Sequence, residues 1–393
     1  MSDSRLSRRF DVPCDSLARP CCADRRAFLR MSATGACFLA AQSLLPEFAF
    51  PDALDPRARK EASFYLKLPN KMVQCKLCPR ECVVADGERG YCRVRENRGG
   101  TYYTLVYARV VAAHIDPIEK KPFYHFLPGT AAYSVASGGC NVHCKFCQNW
   151  EISQARPEDL TSTLITPEQL ATAAKANNCR VMAYTYSEPI VFWEYVYDAA
   201  EAGHRENARS VMVSNGFIQQ EPLLKLCERL DALKVDLKSF SETYYRDVVR
   251  GQLKPVLNTL VTARKHAKWL EIVYLTVPTL NDSDEEFRGL ARWIKSELGP
   301  DVPIHFTRFY PLYLLKNLPP TPVQSLERAR SIMEAEGLHY SYVGNVPGHP
   351  WENTWCPQCK SLLIERTGYV IQQVNLKNGK CGKCARDIPG VWS

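Results

Sequence analysis

From about residue 130 to residue 345, short apolar runs rich in β-branched residues alternate with longer segments of helical periodicity. The apolar runs, which predict strands, occupy residues 132–136, 180–186, 209–214, 233–237, 271–277, 303–309 and 340–343. The segments between them that predict helices are residues 167–176, 190–202, 221–229, 255–268, 284–297 and 321–336. This alternation predicts an α/β fold with right-handed βαβ units and a parallel sheet or barrel. Such folds bind ligands at the carboxyl ends of their strands.

The remaining segments differ from this region in composition, so the chain is expected to have four parts. We place a leader at residues 1–60, a module with four cysteines at 61–129, the α/β domain at 130–345 and a second cysteine module at 346–393.

The leader carries a candidate targeting signal. Arg25 and Arg26 precede Phe28-Leu29 and an apolar run at residues 31–45, which is the layout of a twin-arginine export signal. The alternative is an amphipathic or disordered leader without a targeting role.

Composition excludes several classes of protein. Of the 393 residues, 46% are hydrophobic and 23% charged, which is typical of a folded, water-soluble chain and not of a disordered one. No stretch approaches the roughly 20 apolar residues of a membrane-spanning helix, so we expect membrane contact only through the leader. The net charge is +8, but the basic residues are scattered among acidic ones, and we therefore expect no nucleic-acid partner.

The 17 cysteines carry the main chemical signal. Many lie in groups with two-residue or three-residue spacings. In a chain of this length, such spacings favour metal or cluster ligation over a disulfide framework.

Three cysteines directly follow the predicted strand at residues 132–136. Cys140, Cys144 and Cys147 form a C-x3-C-x2-C pattern after Gly138-Gly139. Three thiolates on one loop can hold three irons of a four-iron cluster and leave the fourth iron open to a ligand with an amine and a carboxylate. The alternative is three buried or zinc-binding cysteines, with His143 as a further ligand.

This pattern, with the aromatic Phe146 before its last cysteine, resembles the signature of the radical S-adenosylmethionine (SAM) superfamily. The resemblance implies a partial (β/α)6 TIM-like barrel with a [4Fe–4S] cluster on the three cysteines and SAM on the open iron. It also implies reductive cleavage of SAM to a 5′-deoxyadenosyl radical, with electrons from a donor such as a ferredoxin or flavodoxin.

Polar motifs at later strand ends resemble the Gly-Gly-Glu-type motif of this superfamily, in the first case, and strand ends of pyruvate formate-lyase activating enzymes in the others. They are Thr185-Tyr186-Ser187-Glu188-Pro189, Ser214-Asn215-Gly216, Asp236-Leu237-Lys238, Val277-Pro278 and Asn281-Asp282. The resemblance implies that Ser187 and Glu188 receive the methionyl ammonium and that Lys238, oriented by Asp236, pairs with the carboxylate. It also implies that Ser214, Asn215 and Phe146 contribute to the SAM site. No catalytic side chain is predicted beyond the cluster ligands.

From residue 70 to residue 393 the chain most resembles the AmmeMemoRadiSam system radical SAM enzymes. The segments that carry this resemblance are Cys75 to Cys92, Asp116 to Gly129, Cys147-Gln148-Asn149 and Ile388 to Trp392. The resemblance implies Memo-like and AMMECR-type partner proteins. It implies no particular reaction, so the substrate stays open and includes a partner protein that receives a glycyl radical. The rival hypothesis is a zinc-rich interaction scaffold without catalysis.

Two further cysteine groups are candidate metal sites. The first comprises Cys75, Cys78, Cys82 and Cys92, which could hold a structural zinc ion or a second cluster. The second comprises Cys356, Cys359, Cys381 and Cys384, whose two C-x2-C pairs predict a zinc ribbon around a hairpin, with a cluster or two disulfides as alternatives.

Two predictions concern a single histidine and the location of the protein. His125 has either a structural role or a place facing a substrate or an anionic partner. Cluster assembly and SAM belong to the cytoplasm, which is the expected location, whereas the twin-arginine-like leader favours export to the periplasm or membrane.

Overall fold

A computed structural model describes residues 55–393. The predicted twin-arginine signal with Arg25 and Arg26 lies outside the described residues. The N-terminal part forms small antiparallel sheets in the orders β1-β6-β5 and β2-β3-β4. Its strands are β1 (Lys60–Glu61), β2 (Tyr65–Lys67), β3 (Val73–Cys75), β4 (Val83–Val84), β5 (Arg95–Arg98), β6 (Thr101–Thr104) and β7 (Arg109–Val110).

The centre of the protein is an eight-stranded sheet in the order β16-β15-β14-β13-β12-β11-β9-β8. All neighbours pair in parallel except β8, which is antiparallel to β9. The strands of this region are β8 (Ala112–Pro117), β9 (Ala131–Ala136), β10 (Thr163–Leu164), β11 (Val181–Tyr184), β12 (Arg209–Ser214), β13 (Ala232–Asp236), β14 (Leu270–Thr276), β15 (Ile304–Arg308) and β16 (Ser341–Val343). The short β10 pairs with β7 outside this sheet.

Helices cover the sheet and follow its strands along the chain. They are α1 (Trp150–Ser153), α2 (Pro167–Ala176), α3 (Trp193–Arg205), α4 (Gln220–Arg229), α5 (Glu242–Tyr244), α6 (Leu253–His266), α7 (Asp284–Glu297) and α8 (Val323–Ala335). Short 3-10 helices lie at Pro56–Ala58, Ile118–Lys120, Pro157–Asp159, Pro189–Phe192 and Pro350–Glu352, and a π-helical turn lies at Tyr245–Val249.

The predicted α/β class is confirmed, but the details differ in two ways. The described sheet has seven parallel strands where the (β/α)6 prediction has six, because the short β16 adds three paired residues to β15. The sheet also begins at residue 112, before the predicted domain boundary at 130. The sequence did not reveal β8 because most of its residues are exposed and it lacks an apolar run.

The C-terminal part forms a three-stranded antiparallel sheet in the order β17-β18-β19 and a small ribbon of β20 and β21. Its strands are β17 (Thr354–Trp355), β18 (Leu362–Thr367), β19 (Val370–Val374), β20 (Leu376–Lys377) and β21 (Lys380–Cys381). The hairpin of β18 and β19 lies between the two C-x2-C pairs, as predicted. Across residues 55–393, every helix is too short or too polar to span a bilayer.

His125 is a structural residue that ties the C-terminal tail to the core. Its ring is fully buried; Nδ1 lies 2.7 Å from the carbonyl oxygen of Pro389, and Nε2 lies 2.6 Å from the hydroxyl of Tyr342. Because a carbonyl only accepts, Nδ1 donates. Burial lowers the pKa of the ring to about 4 and so favours the neutral form, whose Nε2 accepts from the hydroxyl of Tyr342. The proposal that His125 faces substrate or an anionic partner is therefore wrong, since packing against the tail covers the ring.

Burial of His125 predicts a pH-dependent loss of stability. Burial lowers its pKa to about 4, against the opposing effect of Glu271, whereas the unfolded value is about 6.5. Below pH 6.5 the unfolded chain binds the extra proton, so the free energy of unfolding falls as the pH decreases toward 4. Between pH 7 and pH 5 we expect the wild type to lose about 2 kcal/mol more than a His125→Gln variant in denaturant titrations.

A His266→Gln variant provides the control, because it removes a histidine that is exposed at the surface. If the His125→Gln variant and the wild type had the same pH dependence, the neutral buried state of His125 would be contradicted.

Candidate active site

The three predicted cluster ligands lie on the loop between β9 and α1. Cys144 is buried, and Cys140 and Cys147 are partly exposed. The amide of Cys147 donates to the carbonyl of Cys144 over 3.1 Å, which closes a tight turn between these two ligands. The π-helical turn fixes the same loop, because its Val249 and Val248 carbonyls accept from the amides of residues 143 and 145 at 3.0 Å each.

His143 is engaged by another residue of this loop region. Its Nε2 lies 2.7 Å from the hydroxyl of Tyr313, and the two rings stack at 5.9 Å between centroids. This contact gives the imidazole a partner other than a metal ion.

Gly139 lies where the cysteine loop contacts the N-terminal module. Its φ of +94° is in the region that favours glycine. A Cβ atom here would lie 2.6 Å from Cγ1 of Val94 and 2.9 Å from the carbonyl oxygen of Cys92. The glycine before Cys140 is thus required by both backbone conformation and packing.

A Gly139→Ala substitution is expected to displace the cysteine loop. The combined strain and overlap should lower the free energy of unfolding by about 3 kcal/mol or more. Gly99→Ala is the matched control, because Gly99 also has a positive φ of +64° but has open space around its Cβ position. It should cost about 1 kcal/mol. Denaturant titration of both variants tests this, and equal losses would contradict the role of packing.

Glu188 lies at the end of β11 and is held by donors from the neighbouring strand end. Its carboxylate accepts from Oγ of Ser214 at 2.7 Å and from the amides of Asn215 and Ile190 at 2.8 Å and 3.2 Å. Burial nevertheless raises its pKa to about 7, because the three donors offset the lost hydration only in part. Ser187 is engaged differently, since its hydroxyl donates to the carbonyl of Ser137 at 2.6 Å.

Asn215 connects the end of β12 to the cysteine loop. Its Nδ2 donates to Oδ1 of Asn141 at 2.8 Å and lies 3.7 Å from Sγ of Cys140. Its Oδ1 accepts from the amide of Phe217 at 2.8 Å. These contacts give Asn215 a positioning role toward Cys140, which the sequence prediction of a SAM contact did not include.

Asp236 and Lys238 form an ion pair at the end of β13, with 2.9 Å between Oδ2 and Nζ. Lys234, which is almost fully buried, contacts the other carboxylate oxygen. Burial alone would raise the pKa of Asp236, but the two lysines outweigh it and lower the pKa to about 2. Asn281 holds this strand end from the next one, since its Nδ2 donates to the carbonyl of Lys238 at 2.8 Å.

The charge of Lys238 also acts on the cysteine loop. Burial raises the pKa of Cys144 to about 12, and Lys238 opposes this shift. A cation beside Cys144 and Cys147 suits a thiolate-bound cluster, because it stabilises the charged form of these ligands. Phe146 is buried beside them, with its ring 6.2 Å from that of Tyr244. The loop and the strand ends therefore fit a [4Fe–4S] cluster on Cys140, Cys144 and Cys147.

Sequence reasoning missed Asn141 and Lys234. Asn141 directly follows a predicted ligand, and Lys234 lies two residues before Asp236 on the same face of β13. Strand periodicity could have identified Lys234, whereas the pairing of Asn141 with Asn215 depends on the tertiary fold.

The C-terminal cysteines converge on one point. The sulfur atoms of Cys356 and Cys384 are 3.6 Å apart, as are those of Cys359 and Cys381, and all four lie within 4.8 Å of one another. A tetrahedral zinc ion with bonds of about 2.3 Å places its sulfurs about 3.8 Å apart. The geometry of this group therefore fits a single tetrahedral metal ion.

A basic cavity of about 750 Å³ opens behind the cysteine loop. Its lining includes the basic residues Arg80, Lys145, Arg246 and Arg250 and, among the described residues, no acidic one. Arg246 pairs with the neighbouring Asp247 at 2.8 Å, so the net positive charge of the lining comes from Arg80, Lys145 and Arg250.

Comparison with known proteins identifies the family. Residues 134–294 match the radical SAM superfamily. The uncharacterized protein MJ0808 of Methanocaldococcus jannaschii is 43% identical over 331 residues, which are 84% of this chain and 98% of that protein.

Two solved structures match parts of this chain at low identity. A domain of a pyruvate-formate lyase-activating enzyme from Bacteroides vulgatus has a TM-score of 0.38 and 13% identity over 42% of this chain and 98% of that one. Streptococcus suis SuiB bound to S-adenosylmethionine has a TM-score of 0.44 and 12% identity over 61% of this chain and 56% of that one. From the sequence matches, this chain belongs to the radical SAM superfamily, in a family that it shares with MJ0808.

Proposed function

We propose that the protein is a radical SAM enzyme that uses a [4Fe–4S] cluster held by Cys140, Cys144 and Cys147. The observation that carries the proposal is the position of this loop, which is joined to the end of β12 through Asn215 and lies beside the cation of Lys238. When bound, the cluster and SAM supply one-electron cleavage of the sulfonium to methionine and a 5′-deoxyadenosyl radical that abstracts hydrogen from a substrate.

The side chains at the strand ends are suited to bind the methionyl group of SAM. Glu188, oriented by Ser214 and the amide of Asn215, would receive the ammonium group, with Ser187 fixing the backbone beside it. The ammonium group of Lys238, which Asp236 orients, would pair with the carboxylate of SAM. Phe146 would close the apolar side of the site.

The substrate of the radical is the open part of the proposal. By analogy with activating enzymes, one candidate is a partner protein that receives a glycyl radical, and a small molecule is the other. Resemblance to the AmmeMemoRadiSam systems names Memo-like and AMMECR-type proteins as partners. The analogy rests on family likeness and therefore motivates the assay without fixing the substrate.

The decisive experiment measures 5′-deoxyadenosine. Protein purified without oxygen, reduced with dithionite and supplied with SAM should form 5′-deoxyadenosine and methionine, and none without the reductant. If the purified protein contained zinc but neither iron nor sulfide, and formed no product, the proposal would be overturned in favour of the zinc-rich scaffold.

An acidic electron carrier such as a flavodoxin or ferredoxin is the proposed reductant. The basic cavity behind the cysteine loop supports this, because opposite charge speeds the encounter and orients the partners. Arg246 and Arg250 are both exposed at this cavity.

Reversing both charges is expected to slow reduction by the carrier. At low salt, the carrier should reduce the double variant Arg246→Glu, Arg250→Glu about 10-fold or more slowly than the wild type. Added salt should narrow this difference between the variant and the wild type. The rate with dithionite should stay unchanged. A matched pair of reversals at exposed Lys67 and Lys377 is the control. Equal rates for both pairs would place the carrier elsewhere.

We propose a cytoplasmic active form, because cluster assembly and SAM supply are cytoplasmic. A fusion of residues 1–60 to a folded reporter tests this. Export that depends on Arg25 and Arg26 would show that the leader directs the protein out of the cytoplasm.

A further inference from the structure

We propose that Cys75, Cys78, Cys82 and Cys92 hold a second [4Fe–4S] cluster, packed directly behind the loop of the first. The proposal concerns the N-terminal module, and only the iron count expected for the wild type rests on the function proposed for the triplet.

The four cysteines are gathered by the fold of the module. Cys75 ends β3, and its amide donates to the carbonyl of Cys82 at 2.9 Å. The amide of Tyr91, next to Cys92, lies 3.5 Å from Sγ of Cys82. Gly90 lies against the same sulfur, which would be 3.9 Å from a Cβ atom at that position. The fold thus gathers cysteines from a segment in which the first and the last are 17 positions apart.

The sulfur of Cys82 faces a backbone N–H group, since the amide of Tyr91 donates to it. Such donors stabilise a thiolate and are the hydrogen bonds by which proteins tune cluster sulfurs. The same pattern occurs in the C-terminal metal-like group, where the amide of Lys383 lies 3.4 Å from Sγ of Cys381.

Cys179 offers an internal comparison. Its thiol donates to the carbonyl of Asn177 at 3.6 Å. It therefore behaves as an inert buried thiol, whereas Sγ of Cys82 accepts from the amide of Tyr91.

A buried ion pair lies close to the cysteines of the module. Arg95 is 1% exposed and interacts electrostatically with Cys75 and Cys92. Its Nη1 and Nη2 pair with the carboxylate of Glu194 at 3.0 Å and 2.5 Å, which holds the guanidinium in place.

Spacing favours a cluster over a single ion. Among the described residues, the C-terminal group alone brings three or more possible ligand atoms as close together as one zinc ion requires. Neither the N-terminal quartet nor the Cys140, Cys144 and Cys147 triplet shows that convergence. A four-iron cube separates its thiolates more widely than one tetrahedral zinc ion does.

The module lies in direct contact with the active-site loops. Beyond the approach of Cys92 to Gly139, Nε of Arg80 donates to the carbonyl of Asn141 at 2.5 Å. The amide of Gln219, beyond β12, donates to the carbonyl of Leu77 at 3.1 Å. A second cluster here would accept one electron from a low-potential flavin or iron–sulfur protein. The change is [4Fe–4S]²⁺ to [4Fe–4S]⁺, with no bond made or broken.

The test removes the first cluster and asks what iron remains. Full-length protein with Cys140→Ala, Cys144→Ala and Cys147→Ala is purified without oxygen, and its iron, sulfide and zinc are measured beside the wild type. We expect about four irons per chain in the variant and about eight in the wild type. Reduced variant protein should give the electron paramagnetic resonance signal of a [4Fe–4S]⁺ cluster.

Further substitutions assign the remaining iron. Adding Cys78→Ser and Cys92→Ser to the triple variant should remove it, whereas adding Cys179→Ala and Cys227→Ala should not. A triple variant without iron and with about two zinc ions per chain would overturn the second cluster. If the wild type then held about four irons, the function proposed for the triplet would stand on its own.

Discussion

Replacing Cys144 by serine is expected to abolish formation of 5′-deoxyadenosine. Cys144 is the buried member of the triplet, in a turn with Cys147 and beside the cation of Lys238. A serine hydroxyl does not ionise at neutral pH and is a harder ligand than a thiolate, so the proposed cluster loses one of its three protein ligands. We expect the rate to fall by about 10³-fold or more, equivalent to about 4 kcal/mol of activation free energy.

The assay compares the reduced variant with the wild type in the presence of SAM and reports iron and product together. Cys179→Ser is the matched control, because Cys179 is equally buried but lies outside the three cysteine groups. The control should keep both iron and activity. A Cys144→Ser protein with wild-type iron content and rate would refute the assignment of this ligand.

The second large effect is expected at the C-terminal cysteines, for which we propose structural zinc. Cys381→Ser should release the metal and lower the free energy of unfolding by several kcal/mol, because metal binding contributes directly to folding of such modules. The C-terminal tail connects this module to the core, so loss of the metal should also weaken packing there. The amide of Leu127 donates to the carbonyl of Val391 at 2.7 Å, and the amide of Val391 donates to the carbonyl of His125 at 2.8 Å.

Zinc content and thermal unfolding measure this loss, and a strong chelator should reproduce it with the wild type. Lys383→Ser is the control, since Lys383 lies in the same turn and contributes only its backbone amide to Cys381. Unchanged stability of the Cys381→Ser protein would argue against a structural metal. Iron in place of zinc would favour the alternative of a cluster.

Much of the site could be predicted because its determinants are local in the chain. The spacing of Cys140, Cys144 and Cys147 needs only one loop, and each polar strand end stands directly after its own apolar run. Parallel strands bring such ends to one edge, so the approach of Glu188 to Ser214 follows from the alternation of strands and helices.

Other features depend on pairs of residues far apart in the chain. His125 has its partners at Tyr342 and Pro389, and no local pattern distinguishes it from a substrate-facing histidine. The edge strand β8 joins the central sheet through backbone hydrogen bonds, which are independent of side-chain hydrophobicity.

The sequence by itself therefore determined the α/β class, the triplet and the two flanking cysteine groups, because periodicity and ligand spacing are written along the chain. Only the tertiary structure decided that Asn215 contacts Cys140, that His125 is enclosed by the tail, and that Cys92 lies against Gly139. These contacts join segments distant in sequence, and close packing of the folded chain selects them.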